Sequence, residues 1–312
     1  MSRAFVFPGQ GAQTIGMGKE LADAYPAARA VFEEVDEALG ERLSDLIWDG
    51  DIETLTLTQN AQPALMATSM AAMRALDAEG VDISAASFVA GHSLGEYSAL
   101  AAAGALSVSD AARLLRARGE AMQQAVPVGV GAMAALLGLD LDAVRAIAEE
   151  AAGDQVCQAA NDNDPAQVVV SGHKEAVERA IEIAKEKGAK RAVLLPVSAP
   201  FHCALMAPAA DVMAESLSNV QINAPAVPVI ANVLAAPEND PDRIRSLLVE
   251  QITGAVRWRE SVMEMGKHGV TEIWEIGAGK ALSGMIRRID RAIGTQNIAT
   301  PADVQAAAES IK

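Results

Sequence analysis

Short apolar runs alternate with amphipathic stretches along most of the chain, and their order predicts an α/β fold. Apolar runs such as 3–7 and 88–90 are typical of strands that are buried on both faces. Outside residues 129–197, the pattern predicts strands at 3–7, 88–90, 228–232 and 272–276, and helices at 26–39, 62–79, 97–103, 109–124, 205–217, 243–251, 257–267 and near the end of the chain. Alternation of this kind predicts a mostly parallel sheet with helices on both faces.

The segment from 129 to 197 has a different order of elements. It predicts strands at 131–139, 156–160, 167–171 and 191–195, and helices at 142–151 and 174–187. The run Asn-Asp-Asn-Asp-Pro at 161–165 predicts a turn between the two middle strands. The resulting β-α-β-β-α-β order is that of a ferredoxin-like domain. We therefore expect an α/β protein with a larger, α/β-hydrolase-like domain (1–128 and 198–312) and an inserted ferredoxin-like domain (129–197).

Composition narrows the classes of function. The net charge of −16 argues against a nucleic-acid-binding protein, because such proteins neutralise phosphates with lysine and arginine. No apolar run approaches the roughly 20 residues that a membrane span needs, and the apolar start is too short for a signal peptide, so we expect a cytoplasmic protein without a membrane partner. The two cysteines, Cys157 and Cys203, have no metal-site spacing, and we expect free thiols, no metal and no cofactor.

The segment Gly91-His92-Ser93-Leu94-Gly95 is the strongest chemical signal in the chain. It is a G-x-S-x-G sequence between a predicted strand and a predicted helix, a context that exposes the serine hydroxyl above the sheet. Free N–H groups at the start of the helix can stabilise an oxyanion. The motif predicts acyl transfer through a nucleophilic Ser93, and a plain structural turn is the alternative.

A serine nucleophile needs a base, and the chain has four histidines. His92 adjoins the serine on a tight turn, where neighbouring side chains point apart. His173 and His268 lie at predicted helix ends. His202 lies where the chain leaves the inserted domain, and clefts between domains commonly hold sites. His202 is therefore the predicted base, with a structural histidine as the alternative.

The local sequence around two further residues, Gln10 and Arg118, does not by itself indicate a function. Gln10 lies on a glycine-rich loop after the first strand, which by itself is typical of a turn. Arg118 follows Arg113 and Arg116 on a predicted helix, and most such arginines are solvated.

Taken in order, several segments resemble the malonyl-CoA:acyl-carrier-protein transacylases of type II fatty acid synthesis. The matching segments are 5–13, 58–64, 91–97, 118–119, 122–123, 125–127, 161–165 with 167–169, 200–203 and 275–280. The resemblance runs the length of the chain and implies transfer of a malonyl group from malonyl-CoA to the pantetheine thiol of acyl carrier protein.

The resemblance also implies roles for individual residues. Ser93 would carry the malonyl ester and His202 would act as its base, oriented by the main-chain carbonyl of Gln251. The backbone N–H groups of Gln10 and Leu94 would form the oxyanion hole. Arg118 would hold the malonyl carboxylate at two points, which a planar guanidinium does better than a lysine. We further expect Gln62, Asn163, Phe201 and Gln251 at the substrate site.

The sequence leaves open alternatives in the acyl group and in the class of protein. Phe201 stands where bacterial relatives often have serine, and it favours malonyl while leaving methylmalonyl open. A serine esterase or thioesterase would need an acid between Ser93 and His202 in chain order, and several acids lie there. A carrier-binding module without activity would have no need of Ser93, His202 and Arg118 together.

Overall fold

Strands and helices alternate through the computed structural model, which describes residues 2–197 and 199–311. Its strands are β1 (Ser2–Phe7), β2 (Phe88–Gly91), β3 (Gly131–Leu137), β4 (Cys157–Asp164), β5 (Gln167–His173), β6 (Arg191–Leu194), β7 (Val229–Ile230), β8 (Pro237–Glu238), β9 (Val270–Ile276) and β10 (Gly294–Ile298). Its α-helices are α1 (Lys19–Ala24), α2 (Pro26–Leu39), α3 (Leu43–Asp49), α4 (Ile52–Thr56), α5 (Thr58–Ala78), α6 (Gly95–Ala102), α7 (Val108–Gln124), α8 (Leu141–Ala152), α9 (Lys174–Glu186), α10 (Ala207–Ser218), α11 (Pro241–Thr253), α12 (Trp258–Lys267), α13 (Ala281–Ile289) and α14 (Pro301–Ile311).

The larger sheet has six strands in the order β10-β9-β1-β2-β7-β8, and all neighbours are parallel except β7 and β8. Successive residues of β1 enter different cores. Phe5 and Phe7 pack into the cluster formed with α2, α5 and α7, while Ala4 and Val6 pack against α12 and α13. Burial on both faces explains why this strand is continuously apolar. The expectation of a mixed α/β protein with a mostly parallel sheet is confirmed.

The smaller sheet is antiparallel, with the strand order β4-β5-β3-β6. Helices α8 and α9 cover one face and share a separate apolar core with it. The other face carries Met133, Ala135 and Val169, which pack with Leu195 and Phe201 beside the cleft described below. The smaller sheet therefore contributes a wall of that cleft.

One predicted turn is wrong. Residues 161–164 do not form a turn but continue β4 to Asp164, so the connection to β5 is only Pro165-Ala166. The polar side chains are held extended by partners on the larger sheet's helices, since Arg259 of α12 binds Asp162 and Arg288 of α13 binds Asp164. A parallel bridge between Asn161 and Val256 adds to this contact. Local turn chemistry was overridden by tertiary pairing.

The pattern also missed several elements. Helices α1, α3 and α4 are short, and strand β10 with helix α14 stands where the chain was expected to end in one helix. The expected start of the second large-domain segment, Ser198, lies outside the described residues, as do Met1 and Lys312. No helix in 2–197 or 199–311 combines the length and apolar character that crossing a membrane requires.

Candidate active site

Ser93 sits on a tight turn between β2 and α6. Its φ of +54° lies in the left-handed region, which is uncommon for a residue with a side chain. The flanking glycines allow close backbone approach: a Cβ on Gly91 would lie 1.9 Å from the carbonyl of Gly95, and one on Gly95 would lie 2.3 Å from the Phe7 oxygen. The Ser93 backbone N–H donates to Asn232 Oδ1 at 2.8 Å, which helps to hold the strained turn.

His202 is within hydrogen-bond distance of Ser93, with 2.7 Å between Nε2 and Ser93 Oγ. Its Nδ1 lies 2.9 Å from the main-chain oxygen of Gln251. Because a carbonyl can only accept, Nδ1 carries the proton and Nε2 is free to accept one from the serine. Burial lowers the pKa of His202 to about 3, helped by the nearby charge of Arg118, so the ring is neutral at pH 7.

Arg118 reaches the same point from α7, and only 1% of its surface is exposed. Its Nη1 donates to Gln62 Oε1 at 2.7 Å, and its Nη2 donates to Gln251 Oε1 at 2.8 Å and to Ser93 Oγ at 3.1 Å. All three partners are neutral, and no carboxylate of the described chain forms an ion pair with this guanidinium. A buried cation without an anion in direct contact is costly, which makes the site a receptor for an anion.

A chain of hydrogen bonds connects Arg118 to the loop after β1. Gln62 Nε2 donates to Thr58 Oγ1 at 2.8 Å, and Thr58 Oγ1 donates to Gln10 Oε1 at 2.9 Å. The backbone N–H groups of Gln10 and Leu94 donate to no residue in the described ranges, and both residues line the cleft next to Ser93. Unpaired backbone amides in the same cleft as a serine hydroxyl are candidates for an oxyanion hole.

The cleft has a volume of about 430 Å³ and lies between the two sheets. Met122 and Phe201 contribute apolar surface, and Met133, Leu195 and Val197 supply the wall on the side of the smaller sheet. A largely apolar cleft that contains a few polar groups is typical of a small-molecule site.

The structure brings most of the predicted site residues together but not Asn163. Asn163 is buried and does not line the cleft, and its Oδ1 lies 2.8 Å from Nε2 of His92, which does. Asn161 lines the cleft instead. The β4–β5 pairing shifts register at two places within 159–164, so Asn161 and Asn163, although two positions apart, need not face the same side.

Among the described residues, His202 is the histidine that contacts the Ser93 hydroxyl. His92 also lines the cleft, but it is half-buried beside Trp258, with 5.9 Å between ring centres, and its Nε2 contacts Asn163; burial lowers its pKa. His173 accepts from the Val156 backbone N–H, and His268 pairs with Glu264. Across the described ranges, no group of three or more His, Cys, Asp or Glu side chains has a metal-binding arrangement.

Sequence reasoning missed three residues of the network: Thr58, Glu96 and Asn232. Asn232 Nδ2 donates to the Gly91 carbonyl, and the Asn232 backbone N–H donates to Glu96. A signal for Asn232 existed, because it is the last residue of a predicted strand and parallel strands end at the same edge of a sheet. Thr58 and Glu96 adjoin matched motifs, but nothing local indicates that their side chains turn inward.

Comparison with known proteins agrees with this geometry. The family model for the acyl transferase domain matches residues 4–278. The chain is 48% identical over 310 residues to the malonyl CoA-acyl carrier protein transacylase of Bacillus subtilis, which covers 99% of this chain and 97% of that protein.

Solved structures extend the similarity to three dimensions. The acyl-carrier-protein-S-malonyltransferase of Bartonella henselae superimposes with a TM-score of 0.98 and 56% identity, covering 100% of this chain and 99% of that chain. A chain in the solved complex of a type II PKS acyl-carrier protein with its malonyl-transacylase superimposes on this protein with a TM-score of 0.96. The two chains are 42% identical, and the match covers 99% of this chain and 100% of that chain. The chain therefore belongs to the malonyl CoA-acyl carrier protein transacylases, within the acyl transferase domain family.

Proposed function

We propose that this protein transfers a malonyl group from malonyl-CoA to the pantetheine thiol of an acyl carrier protein, through an ester on Ser93. The observation that carries the proposal is the position of Arg118. Its guanidinium is buried, lies 3.1 Å from the serine hydroxyl and has only neutral partners. A site for uncharged acyl groups would have no use for such a charge.

In the first half-reaction, the Ser93 hydroxyl attacks the thioester carbonyl of malonyl-CoA. His202 Nε2 takes the hydroxyl proton as the new C–O bond forms. The backbone N–H groups of Gln10 and Leu94 donate to the oxygen that becomes negative. The C–S bond then breaks, the proton passes from His202 to the CoA sulfur, and CoA leaves as the thiol.

In the second half-reaction, the pantetheine thiol of the carrier protein takes the place of CoA. Its proton passes to His202 Nε2 while the sulfur attacks the malonyl ester of Ser93. Collapse of the intermediate breaks the C–O bond, and the proton returns from His202 to Ser93 Oγ. The enzyme is restored and the malonyl group is carried as a thioester.

A hydrolase is the competing function in the same class of chemistry. It would pair the histidine with an acid, whereas His202 Nδ1 donates to a main-chain carbonyl, and no acid of the described chain forms an ion pair with His202. The neutral main-chain carbonyl as partner of His202 supports a Ser93–His202 dyad that catalyses acyl transfer. Phe201 and Met133 line the cleft with large apolar side chains, which supports malonyl over the bulkier methylmalonyl.

The proposal includes the finer architecture. The strand order of the smaller sheet, with two helices on one face, supports a ferredoxin-like domain at 129–197. A strained serine between a strand and a helix of the larger sheet supports an α/β-hydrolase-like domain formed by 1–128 and 198–312. Two buried free thiols fit the reducing conditions of a cytoplasmic location.

Intact-mass measurement tests the function directly. Incubation with malonyl-CoA is expected to add one malonyl group to the wild type and none to Ser93→Ala. Addition of holo acyl carrier protein is expected to remove the group from the enzyme and place it on the carrier. Release of free malonate in place of transfer would instead support the hydrolase, and no adduct would refute the proposal.

A further inference from the structure

Glu96 is a buried carboxylate that the acyl transfer described above does not use. It is the second residue of α6, three positions after Ser93, and only 2% of its surface is exposed. Its Oε2 accepts from the Asn232 backbone N–H at 3.1 Å and from Gln251 Nε2 at 2.9 Å. A buried carboxylate needs hydrogen bonds and, when ionised, a compensating charge.

The compensating charge is Arg118, and the Gln251 side chain lies between the two groups. Gln251 Nε2 donates to Glu96, and Gln251 Oε1 accepts from Arg118 Nη2. The amide donor thus faces the anion and the amide acceptor faces the cation, which is the favourable orientation for a dipole between opposite charges. Through Gln251, the charge of Glu96 can attract the Arg118 guanidinium without occupying any of the guanidinium's N–H donors itself.

We propose that Glu96 is the counter-ion of Arg118 before acyl-CoA binds, and that it acts through the Gln251 amide to set how strongly Arg118 attracts an acyl carboxylate. Glu96 touches no substrate atom and is a positioning and specificity-determining residue. The inference rests on the proposed function, because it requires acyl groups that carry a carboxylate.

Other titratable groups around Glu96 are neutral near pH 7. Burial raises the pKa of Tyr97, on the same helix, to about 12, and lowers that of His202 to about 3. Burial also lowers the pKa of His92. Within the described ranges, this leaves Arg118, from α7, as the charged group that acts on Glu96.

Binding of a carboxylate-bearing substrate changes the protonation of Glu96. Burial raises the pKa of Glu96 to about 7, against the opposing effects of its two hydrogen bonds and Arg118. A second carboxylate on Arg118 removes the counter-ion from Glu96 and repels it, so Glu96 takes up one proton from solvent. Arg118 then has one anion in each state: Glu96 before binding, and the acyl carboxylate afterwards.

The test compares acylation of Ser93 by malonyl-CoA and acetyl-CoA between pH 6 and 8.5. The ratio of the two rate constants reports the carboxylate contact, because Ser93 and His202 act on both donors. In the wild type, the ratio is expected to fall on the order of tenfold between pH 6.5 and 8.5, as uptake of a proton becomes harder. In Glu96→Gln, which has no carboxylate to protonate, the ratio is expected to stay flat.

A buried control separates this role from loss of packing. Glu275 is fully buried and accepts from the Leu282 and Ser283 backbone N–H groups, away from the cleft. Glu275→Gln is expected to lower stability yet keep the wild-type pH dependence. A flat ratio in the wild type, or the same slope in Glu96→Gln, would overturn the proposal.

Proton uptake provides a second measurement on the wild type, which decides the matter if Glu96→Gln does not fold. Acylation by malonyl-CoA at pH 7.5 in weak buffer is expected to remove more protons from solution than acylation by acetyl-CoA, up to about three-quarters of a proton per site, because Glu96 with a pKa of about 7 is largely ionised there before binding. Equal uptake by both donors would contradict the proposal. Failure of malonyl-CoA to acylate the wild type at all would contradict the proposed function instead.

Discussion

Arginines contact buried polar side chains in two regions of this molecule, with opposite kinds of partners. At the junction of the two sheets, Arg259 donates to both oxygens of Asp162 at 3.0 and 3.1 Å through Nε, and Arg288 donates to Asp164 at 2.7 Å. Both aspartate side chains are at most 3% exposed. In the cleft, Arg118 is more buried than either arginine and contacts only neutral oxygens.

The difference separates a structural charge from one that is available for binding. At the junction, each cation is neutralised by a resident carboxylate, and the contact holds the smaller sheet against α12 and α13. In the cleft, no resident carboxylate of the described chain contacts the guanidinium, and we propose that the substrate supplies one. The same residue type thus attaches one part of the protein to another in one region and, in this proposal, selects an acyl group in the other.

Removing the cation from the cleft is expected to have the largest effect. Arg118→Ala eliminates two charge-assisted hydrogen bonds to the malonyl carboxylate, and acylation by malonyl-CoA should fall by about 10²- to 10³-fold. Acylation by acetyl-CoA should fall far less, so the ratio of the two donors should shift strongly towards acetyl. Rapid-quench mass measurements give both rate constants, and an unchanged ratio would remove Arg118 from the proposed role.

Giving Arg118 a resident carboxylate should make the cleft resemble the junction. Gln62→Glu places an anion on the oxygen that Arg118 Nη1 already contacts at 2.7 Å. Malonyl acylation should fall by about 10- to 100-fold, because the substrate carboxylate must then compete with a bound one. Gln59→Glu, three residues earlier on α5, is the matched control, and it should leave the donor ratio as it is. Equal losses in both variants would contradict the interpretation.

Neutralising the junction should affect stability rather than selectivity. Asp162→Asn leaves Arg259, itself partly exposed, without its anion, and the free energy of unfolding should fall by about 1–3 kcal/mol. The exposed pair of Arg74 and Asp77 provides the control, since Asp77→Asn should change stability by less than about 0.5 kcal/mol. Denaturant melts measure both. A changed donor ratio in Asp162→Asn would mean that the junction also controls the cleft.

The smallest expected change is in the pH dependence of the base. Only neutral His202 can accept the serine proton, and its pKa of about 3 keeps it neutral down to pH 5.5. Acetyl-CoA has no carboxylate, so its reaction does not depend on protonation of Glu96. The rate of Ser93 acylation by acetyl-CoA should therefore show no decline as the pH falls from 7.5 to 5.5. A histidine with an ordinary pKa of about 6.5 would lose roughly tenfold by pH 5.5. A decline centred near pH 6.5 would contradict the low pKa.

The sequence predicted those parts of the site whose conformation depends on residues adjacent in the chain. Ser93 with its two glycines forms a local turn, so the motif predicted its exposure and its helix start. The roles of Gln10, Arg118 and Gln251 entered through resemblance, because nothing in their own neighbourhoods distinguishes them from a turn or a helix surface. Asn163 shows the limit of this reasoning, since a register shift in β4 turns Asn161 to the cleft instead.

Local sequence determined the alternation of strands and helices, the strained serine turn and the kind of reaction, because these depend on residues a few positions apart. Only the tertiary structure decided which oxygens surround Arg118 and which acid lies behind Gln251. Glu96 and Gln251 are 155 positions apart, and Ser93 and Asn232 are 139 apart. Whether a buried charge is neutralised or available depends on such distant partners, because electrostatic energy in a poorly solvated site depends on spatial rather than sequence distance.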